Sequence, residues 1–213
     1  MHRFPEFLLK GYSNFMAGRY AREEERYRDL AKEGQNPSAM IVACCDSRSA
    51  PETIFDCGPG ELFVLRNIAN LVPPYQPDAN LHGTSAAIEF AVKQLEIKDL
   101  IIMGHGRCGG IHAALNPDSV AIRKSDFVGN WVRLLNPVAE QVNGNSWMTE
   151  GERRTALERI SIRHSIYNLR TFPFIKKRED EGQLALHGAW FDISTGELWV
   201  MDPDTGDFER PDA

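Results

Sequence analysis

Ala39-Met40-Ile41-Val42-Ala43-Cys44-Cys45-Asp46-Ser47-Arg48 is an apolar run that ends in two thiols, a carboxylate and a guanidinium. Its apolar half, entered from the turn signal Asn36-Pro37-Ser38, predicts a buried strand. Glu61-Leu62-Phe63-Val64-Leu65, entered from Gly58-Pro59-Gly60, and Leu100-Ile101-Ile102-Met103 have the same character. Between those two, Ala87, Ile88, Ala91, Val92 and Leu95 recur at helical spacing. Strand, helix and strand, with the strands continuously apolar, imply a parallel sheet covered on both faces by helices.

Outward from this unit, residues 125–142 and 151–170 carry helical patterns. The second places Ala156, Leu157, Ile160, His164, Tyr167 and Leu169 on or near one face, and Pro173 marks its end or the start of a short further helix. Leu184–His187, Trp190–Ile193, the turn Ser194-Thr195-Gly196 and Leu198–Val200 predict a closing hairpin. Toward the amino terminus, Phe4, Leu8, Tyr12, Phe15, Met16 and Tyr20 form a helical stripe suited to the chain's own domain or to another subunit. The expected fold is α/β: a mostly parallel central sheet with an antiparallel edge strand, helices on both faces and an N-terminal helical arm. No linker or repeat divides the chain. One domain is expected over 1–213, with an arm over 1–33, a catalytic core over 34–201 and a tail over 202–213.

Bulk properties narrow the function. The 213 residues are 42% hydrophobic and 25% charged, with a formal net charge of -6. That balance argues against a nucleic-acid or anionic-membrane partner, and Lys176-Lys177-Arg178 is offset at once by Glu179-Asp180-Glu181. No apolar run approaches the roughly 20 residues that span a bilayer. Met1–Glu6 lacks the pattern of a signal peptide, so a cytoplasmic protein is expected. Four cysteines make no disulfide framework in a chain of this size; metal ligation plus buried free thiols explains them better, with Cys45 and Cys57 as inert packing.

The chemistry lies in two segments, Cys44–Arg48 and Gly104-His105-Gly106-Arg107-Cys108-Gly109-Gly110. Each begins where a predicted parallel strand stops, at the edge where open α/β sheets gather ligands. Cys44, His105 and Cys108 offer three soft or borderline ligands without an obvious fourth, the ligand count of a catalytic zinc site. The predicted reaction is attack by a zinc-bound hydroxide. Asp46 would accept a hydrogen bond from it, and Arg48 would hold Asp46 by a charge-assisted contact. Two thiolates cancel the formal metal charge, so the working range is expected to be mildly alkaline. His112, one helical turn after Cys108, reads equally as a proton relay or a helix-surface histidine.

From about Gly34 to Met201 the chain resembles the β-class carbonic anhydrases. The element Cys-x-Asp-x-Arg matches Cys44, Asp46 and Arg48, and His-x-x-Cys-Gly-Gly matches His105, Cys108, Gly109 and Gly110. Gly60–Asn70, Ser161–Pro173 and Leu184–Gly196 are also similar to the family. The resemblance implies a zinc enzyme, one Zn²⁺ per subunit, interconverting carbon dioxide and bicarbonate. It implies a homodimer that often pairs into a dimer of dimers, with the amino-terminal helix embracing the partner. It implies a substrate pocket at the dimer interface drawn from Gln35, Phe63, Ile68 and Gly109, and Asp46 as an alternative fourth ligand in a closed, inactive form. Phe90 stands where many plant relatives carry a tyrosine. Ile41 and Phe191 replace the tryptophan and tyrosine of a noncatalytic bicarbonate site, although Arg66 is present, so that site is not expected. Arg107 stands where a small residue is commoner. Three other readings fit parts of the pattern: a hydrolase of carbonyl sulfide or carbon disulfide on the same zinc scaffold, a thiol redox enzyme using Cys44 with Cys45 or Cys108, and a non-enzymatic zinc-stabilised binding module.

Overall fold

A computed structural model describes residues 4–211; the sequence reading of Met1–Arg3 and the last two residues of the expected tail lie outside that range. Six strands form one sheet: β1 (Ala39–Cys44), β2 (Leu62–Asn67), β3 (Asp99–His105), β4 (Ala185–Phe191), β5 (Leu198–Met201) and β6 (Phe208–Glu209). Their order is β2-β1-β3-β4-β5-β6. The pairs β1 with β2, β1 with β3 and β3 with β4 are parallel, while β5 and β6 add antiparallel edges. Ten helices accompany them: α1 (Glu6–Phe15), α2 (Ala21–Glu33), α3 (Pro51–Ile54), α4 (Gly83–Lys93), α5 (Gly109–Leu115), α6 (Val120–Arg123), α7 (Val128–Val132), α8 (Asn136–Asn143), α9 (Glu150–Leu169) and α10 (Pro173–Asp180). The mostly parallel α/β fold is as the apolar runs predict.

The central strands are buried because both sheet faces are covered. Met40, Val42, Leu100 and Ile102 pack with Ile88, Val92, Ile162 and Ile166 on one side. Ile41, Ala43, Met103 and Ala189 face the other. A second cluster, built around Leu71, Ile111, Leu135 and Leu157, also takes in Cys44 and Cys108. The carboxyl ends of β1 and β3 therefore open onto packed apolar side chains.

Three expectations change. Residues 125–142 are not one helix: a 3-10 turn over Arg133–Leu135 separates α7 from α8, and Pro137 occupies the first turn of α8, where its missing N–H costs nothing. The tail beyond 201 belongs to the sheet, since Phe208 is buried and pairs with Met201 across β5 and β6. The buried face of α9 is also rotated from the predicted one. Tyr167 is exposed, whereas Glu158, Ser161, Ser165 and Asn168 are buried with Leu157 and Ile162.

Those polar residues are buried because a strap of main chain lies against them. The Ser165 hydroxyl accepts from the Val72 N–H (3.2 Å) and donates to the Asn70 carbonyl (3.3 Å), and the Asn168 amide donates to the Val72 carbonyl (2.8 Å). A capping box between Thr149 and Glu152 starts α9, supplying acceptors for first-turn N–H groups.

The arm stands apart. α1, a π-helical turn over Met16–Tyr20 and α2 run in series with no buried residue. Phe4, Phe7, Leu8, Leu9 and Tyr12 are all exposed. The Arg19 and Arg26 guanidiniums, donating to the carbonyls of Cys57 (2.7 Å) and Pro59 (2.9 Å), tie its later part to the domain.

Candidate metal centre

The register places Ala43 beside Met103, so Cys44 and His105 emerge together at the carboxyl edge of adjacent parallel strands. Cys108 follows on the turn into α5. The ligand atoms of Cys44, His105 and Cys108 lie within 4.8 Å of one another, and all three residues are buried. The two sulfurs are 3.9 Å apart. Two thiolates bound to one zinc at about 2.3 Å in a tetrahedron would be about 3.8 Å apart, so this spacing accommodates one ion. The His105 Nδ1–H donates to the Gly106 carbonyl at 2.8 Å, which leaves the lone pair on Nε2. That Nε2 is buried and has no hydrogen-bond partner. An orphaned nitrogen beside two close sulfurs is the donor set of a zinc ion with one further position for a small ligand.

The electrostatics agree. With protein groups alone, the Cys108 thiol donates to Cys44 and pushes Cys44 down, while that contact and burial push Cys108 up. Burial opposes charging of His105, but the Cys44 sulfur and the Gly106 carbonyl outweigh it and raise its pKa. Two sulfurs and a ring are competing for protons that a divalent cation would displace.

Asp46 borders this pocket. Its Oδ2 is 3.9 Å from His105 Nε2. Arg48 donates from Nε to Oδ1 (2.9 Å) and from Nη2 to Oδ2 (2.7 Å), and the Arg48 main-chain N–H reaches Oδ1 (3.0 Å). These bonds hold the Asp46 carboxyl well below the usual carboxylate range. Arg66 braces the same turn from beneath, donating to the carbonyls of Cys44 (2.8 Å) and Asp46 (2.6 Å). Its guanidinium is thus engaged in main-chain contacts. Next to the second cysteine, Ala69 and Asn70 adopt left-handed backbone at φ 63° and 50°. Gly110 must be glycine there, because a Cβ would come within 2.8 Å of the Ala69 Cβ and the Ile68 side chain. A Cβ on Gly109 would meet nothing within 4 Å, so this side of the centre is open.

Of the expected pocket residues, only Ile68 lines the cavity that opens beside Cys45. It has a volume of about 730 Å³ and runs from Cys45 and Ile68 to Leu81, Phe127 and Trp131. Gln35 is exposed on the turn before β1. Phe63 pairs with Met40, near the opposite end of the sheet from Cys44, and packs on the Phe90 ring at 5.9 Å. One chain therefore does not bring Gln35, Phe63, Ile68 and Gly109 together. Cys45 is not buried packing: it is exposed on the cavity wall, because its side chain points opposite to that of Cys44. Cys57 is half-buried, and the Arg107 side chain is exposed on left-handed backbone (φ 59°). His112 is exposed, and Arg154 donates to its Nδ1 at 2.8 Å.

One residue near the centre escaped the sequence reading. Glu158 is buried and accepts from the Cys108 N–H (3.1 Å) and the Trp190 indole N–H (3.2 Å). Burial pushes its carboxyl up, against the opposing pull of those hydrogen bonds. The signal available was a lone glutamate flanked by Leu157 and Ile162 on an otherwise packed helix.

A parallel α/β sheet bearing a buried Cys-His-Cys triad with an adjacent Asp-Arg pair defines the class: a mononuclear zinc enzyme working at a strand edge. The profile described as carbonic anhydrase matches residues 39–198. The chain is similar to Beta carbonic anhydrase 3 of Arabidopsis thaliana, 32% identical over 202 residues that span 92% of this chain and 77% of that one. It is 34% identical to the chloroplastic Beta carbonic anhydrase 5 of the same plant over 86% of its own length and 61% of that relative's. Among solved structures, the β-carbonic anhydrase CcaA aligns with a TM-score of 0.90 at 31% identity, covering 98% of this chain and 92% of that one. A tetrameric β-carbonic anhydrase of Sordaria macrospora aligns at 0.78 and 28% identity, covering 95% and 97%. The chain belongs to the carbonic anhydrase family, β class. Its reaction is the reversible hydration of carbon dioxide, and its cofactor is zinc. None of the helices among the described residues is long and apolar enough to cross a membrane.

Proposed function

We propose that Cys44, His105 and Cys108 hold the zinc, that Asp46 is the catalytic carboxylate, and that Arg48 orients it. When bound, zinc supplies the Lewis acidity that makes water a nucleophile near neutral pH. The chain's own residues do the rest. Asp46 Oδ2, next to His105 Nε2, accepts the O–H of the attacking water and so turns a lone pair toward carbon dioxide. Arg48 engages both Asp46 oxygens, which keeps the carboxylate ionised and draws it away from the metal position. Arg66 fixes the carbonyls on either side of Cys45, so sulfur and carboxylate keep their spacing. The open side at Gly109 gives a linear, apolar substrate a way in.

The observation that carries this reading is the two-pronged Arg48–Asp46 contact 3.9 Å from the unpartnered His105 nitrogen. Asp46→Asn tests it: zinc content should stay stoichiometric while carbon dioxide hydration falls by about 10²–10⁴. Full activity in that variant would remove Asp46 from the mechanism.

The working unit in this proposal is a homodimer or a dimer of dimers in the cytoplasm. Supporting it are the exposed apolar face of α1 and the separation of Gln35 and Phe63 from Ile68 within one chain. A second subunit supplying Gln35 and Phe63 would complete the pocket. The four free thiols fit a reducing compartment.

A further inference from the structure

The turn that carries His105 and Cys108 rests on a carboxylate that the reaction itself does not touch. Glu158 is 2% exposed. Both its oxygens are used: Oε1 accepts from the Cys108 peptide N–H and Oε2 from the Trp190 indole. Both donors are neutral, and each of the two oxygens accepts from one of them. The neighbouring Arg159 guanidinium lies instead over the Trp190 and Trp199 rings, 4.7 Å from each centroid. It pins Trp190 from the far side.

A carboxyl buried on neutral partners is costly unless its hydrogen bonds do something that an apolar residue would not. Here the approach is built for it. A Cβ on Gly104 would come within 2.9 Å of Ile162 on α9, and one on Gly106 within 3.2 Å of the Trp190 ring. Glycines on both sides of His105 thus let the metal turn approach close enough for Glu158 to reach Cys108. Between them and Cys108, Arg107 is held at φ 59°, a left-handed conformation unfavourable for a long side chain. That turn needs an external grip.

We infer that Glu158 is the positioning residue of the second metal turn: by holding the Cys108 peptide it aims the Cys108 sulfur at the point shared by Cys44 and His105 Nε2, and it thereby sets zinc affinity. This rests on the zinc reading of the triad.

Glu158→Gln keeps size and shape but turns one acceptor into a donor, so either Cys108 or Trp190 is left facing an N–H. Zinc affinity, measured by chelator competition, is expected to fall 10–100-fold, the usual cost of losing an outer-shell partner. The thiolate-to-cobalt charge-transfer band of the Co²⁺-substituted variant should shift from that of the wild type. Combining Glu158→Gln with Trp190→Phe removes the facing donor and lets the amide oxygen accept from Cys108, so most of the affinity should return. Wild-type affinity and an unshifted cobalt band in Glu158→Gln would overturn the inference. So would a double variant that binds no better than the single one, since the charge and not the grip would then matter. Should Glu158→Gln not fold, Trp190→Phe alone decides. It leaves the Cys108 contact intact and should keep wild-type zinc affinity at a lower Tm, and a tenfold loss of affinity would count against the grip. A wild-type protein that binds no zinc would instead sink the metal reading itself.

Discussion

The two turns that meet at the metal centre are braced by opposite charges. After β1, the chain presents the carbonyls of Cys44 and Asp46 inward, and Arg66 supplies donors to both. After β3, the chain bends into α5 and presents the Cys108 N–H, and Glu158 supplies the acceptor. The first turn also carries a charged contact at the surface, and the second turn does not. The Arg48 side chain is 53% exposed where it holds Asp46, while Glu158 is 2% exposed. An exposed ion pair adds little stability, so the Arg48–Asp46 contact is best understood as orientation of a reacting group. A buried carboxylate is costly to disturb, and Glu158 acts on the frame that holds a ligand. In the proposed mechanism the first turn serves the chemistry and the second the grip on the metal.

The largest expected effect tests whether both turns serve one ion. Cys108→Ser, although it lies on the braced turn and not beside Asp46, should strip the zinc and return hydration to the uncatalysed rate, a loss of about 10⁶-fold or more. Retention of one zinc per chain at full turnover would separate the second turn from the centre.

The comparison so far lies within one subunit, and the arm asks whether a second subunit shares it. Phe7→Glu combined with Leu8→Glu replaces two exposed apolar side chains of α1. Each is worth about 1.5–3 kcal/mol if buried against a partner, so the subunit dissociation constant should rise about 10²–10⁴-fold. Light scattering across a dilution series reads this directly, and an unchanged molar mass at all concentrations would detach the arm from assembly.

Arg66→Gln weakens the first brace alone. One of two main-chain carbonyls loses its donor, which should cost about 1–3 kcal/mol of stability. Turnover should drop about tenfold, the lower end for an outer-shell partner, with zinc still bound. Thermal unfolding and zinc analysis on the same preparation separate those outcomes. If zinc were lost in step with activity, the two braces would not be functionally distinct.

The smallest effect is expected at His112. Its Nδ1 accepts from Arg154 on an exposed helix face. His112→Ala should therefore change kcat by no more than about twofold, where removal of a working acid–base group would cost about 10²-fold. A large loss, rescued by added imidazole buffer, would restore the relay.

Much of this architecture was legible in the sequence because its signals are local. Continuous apolar runs at Met40–Ala43, Leu62–Leu65 and Leu100–Met103 have few options besides a doubly covered parallel sheet, and all three are strands. The hairpin at Ala185–Met201 announced itself by its turn residues. Where the reading failed, the partner lay far along the chain. The polar face of α9 is buried because Ser165 and Asn168 satisfy main-chain groups of residues 70 and 72. Cys45 is an exposed wall of the cavity, which only its strand-end position reveals.

The sequence by itself determined the sheet, the two short motifs that carry Cys44, His105 and Cys108, and the Asp46–Arg48 pair, because each is a signal only a few positions long. The tertiary structure decided what stands behind them: Glu158 beneath Cys108, Trp190 beneath Glu158, and Phe63 at the far end of the sheet from Ile68. A buried polar group is stable only beside its complement, and that complement is chosen by packing across the fold and not by spacing along the chain.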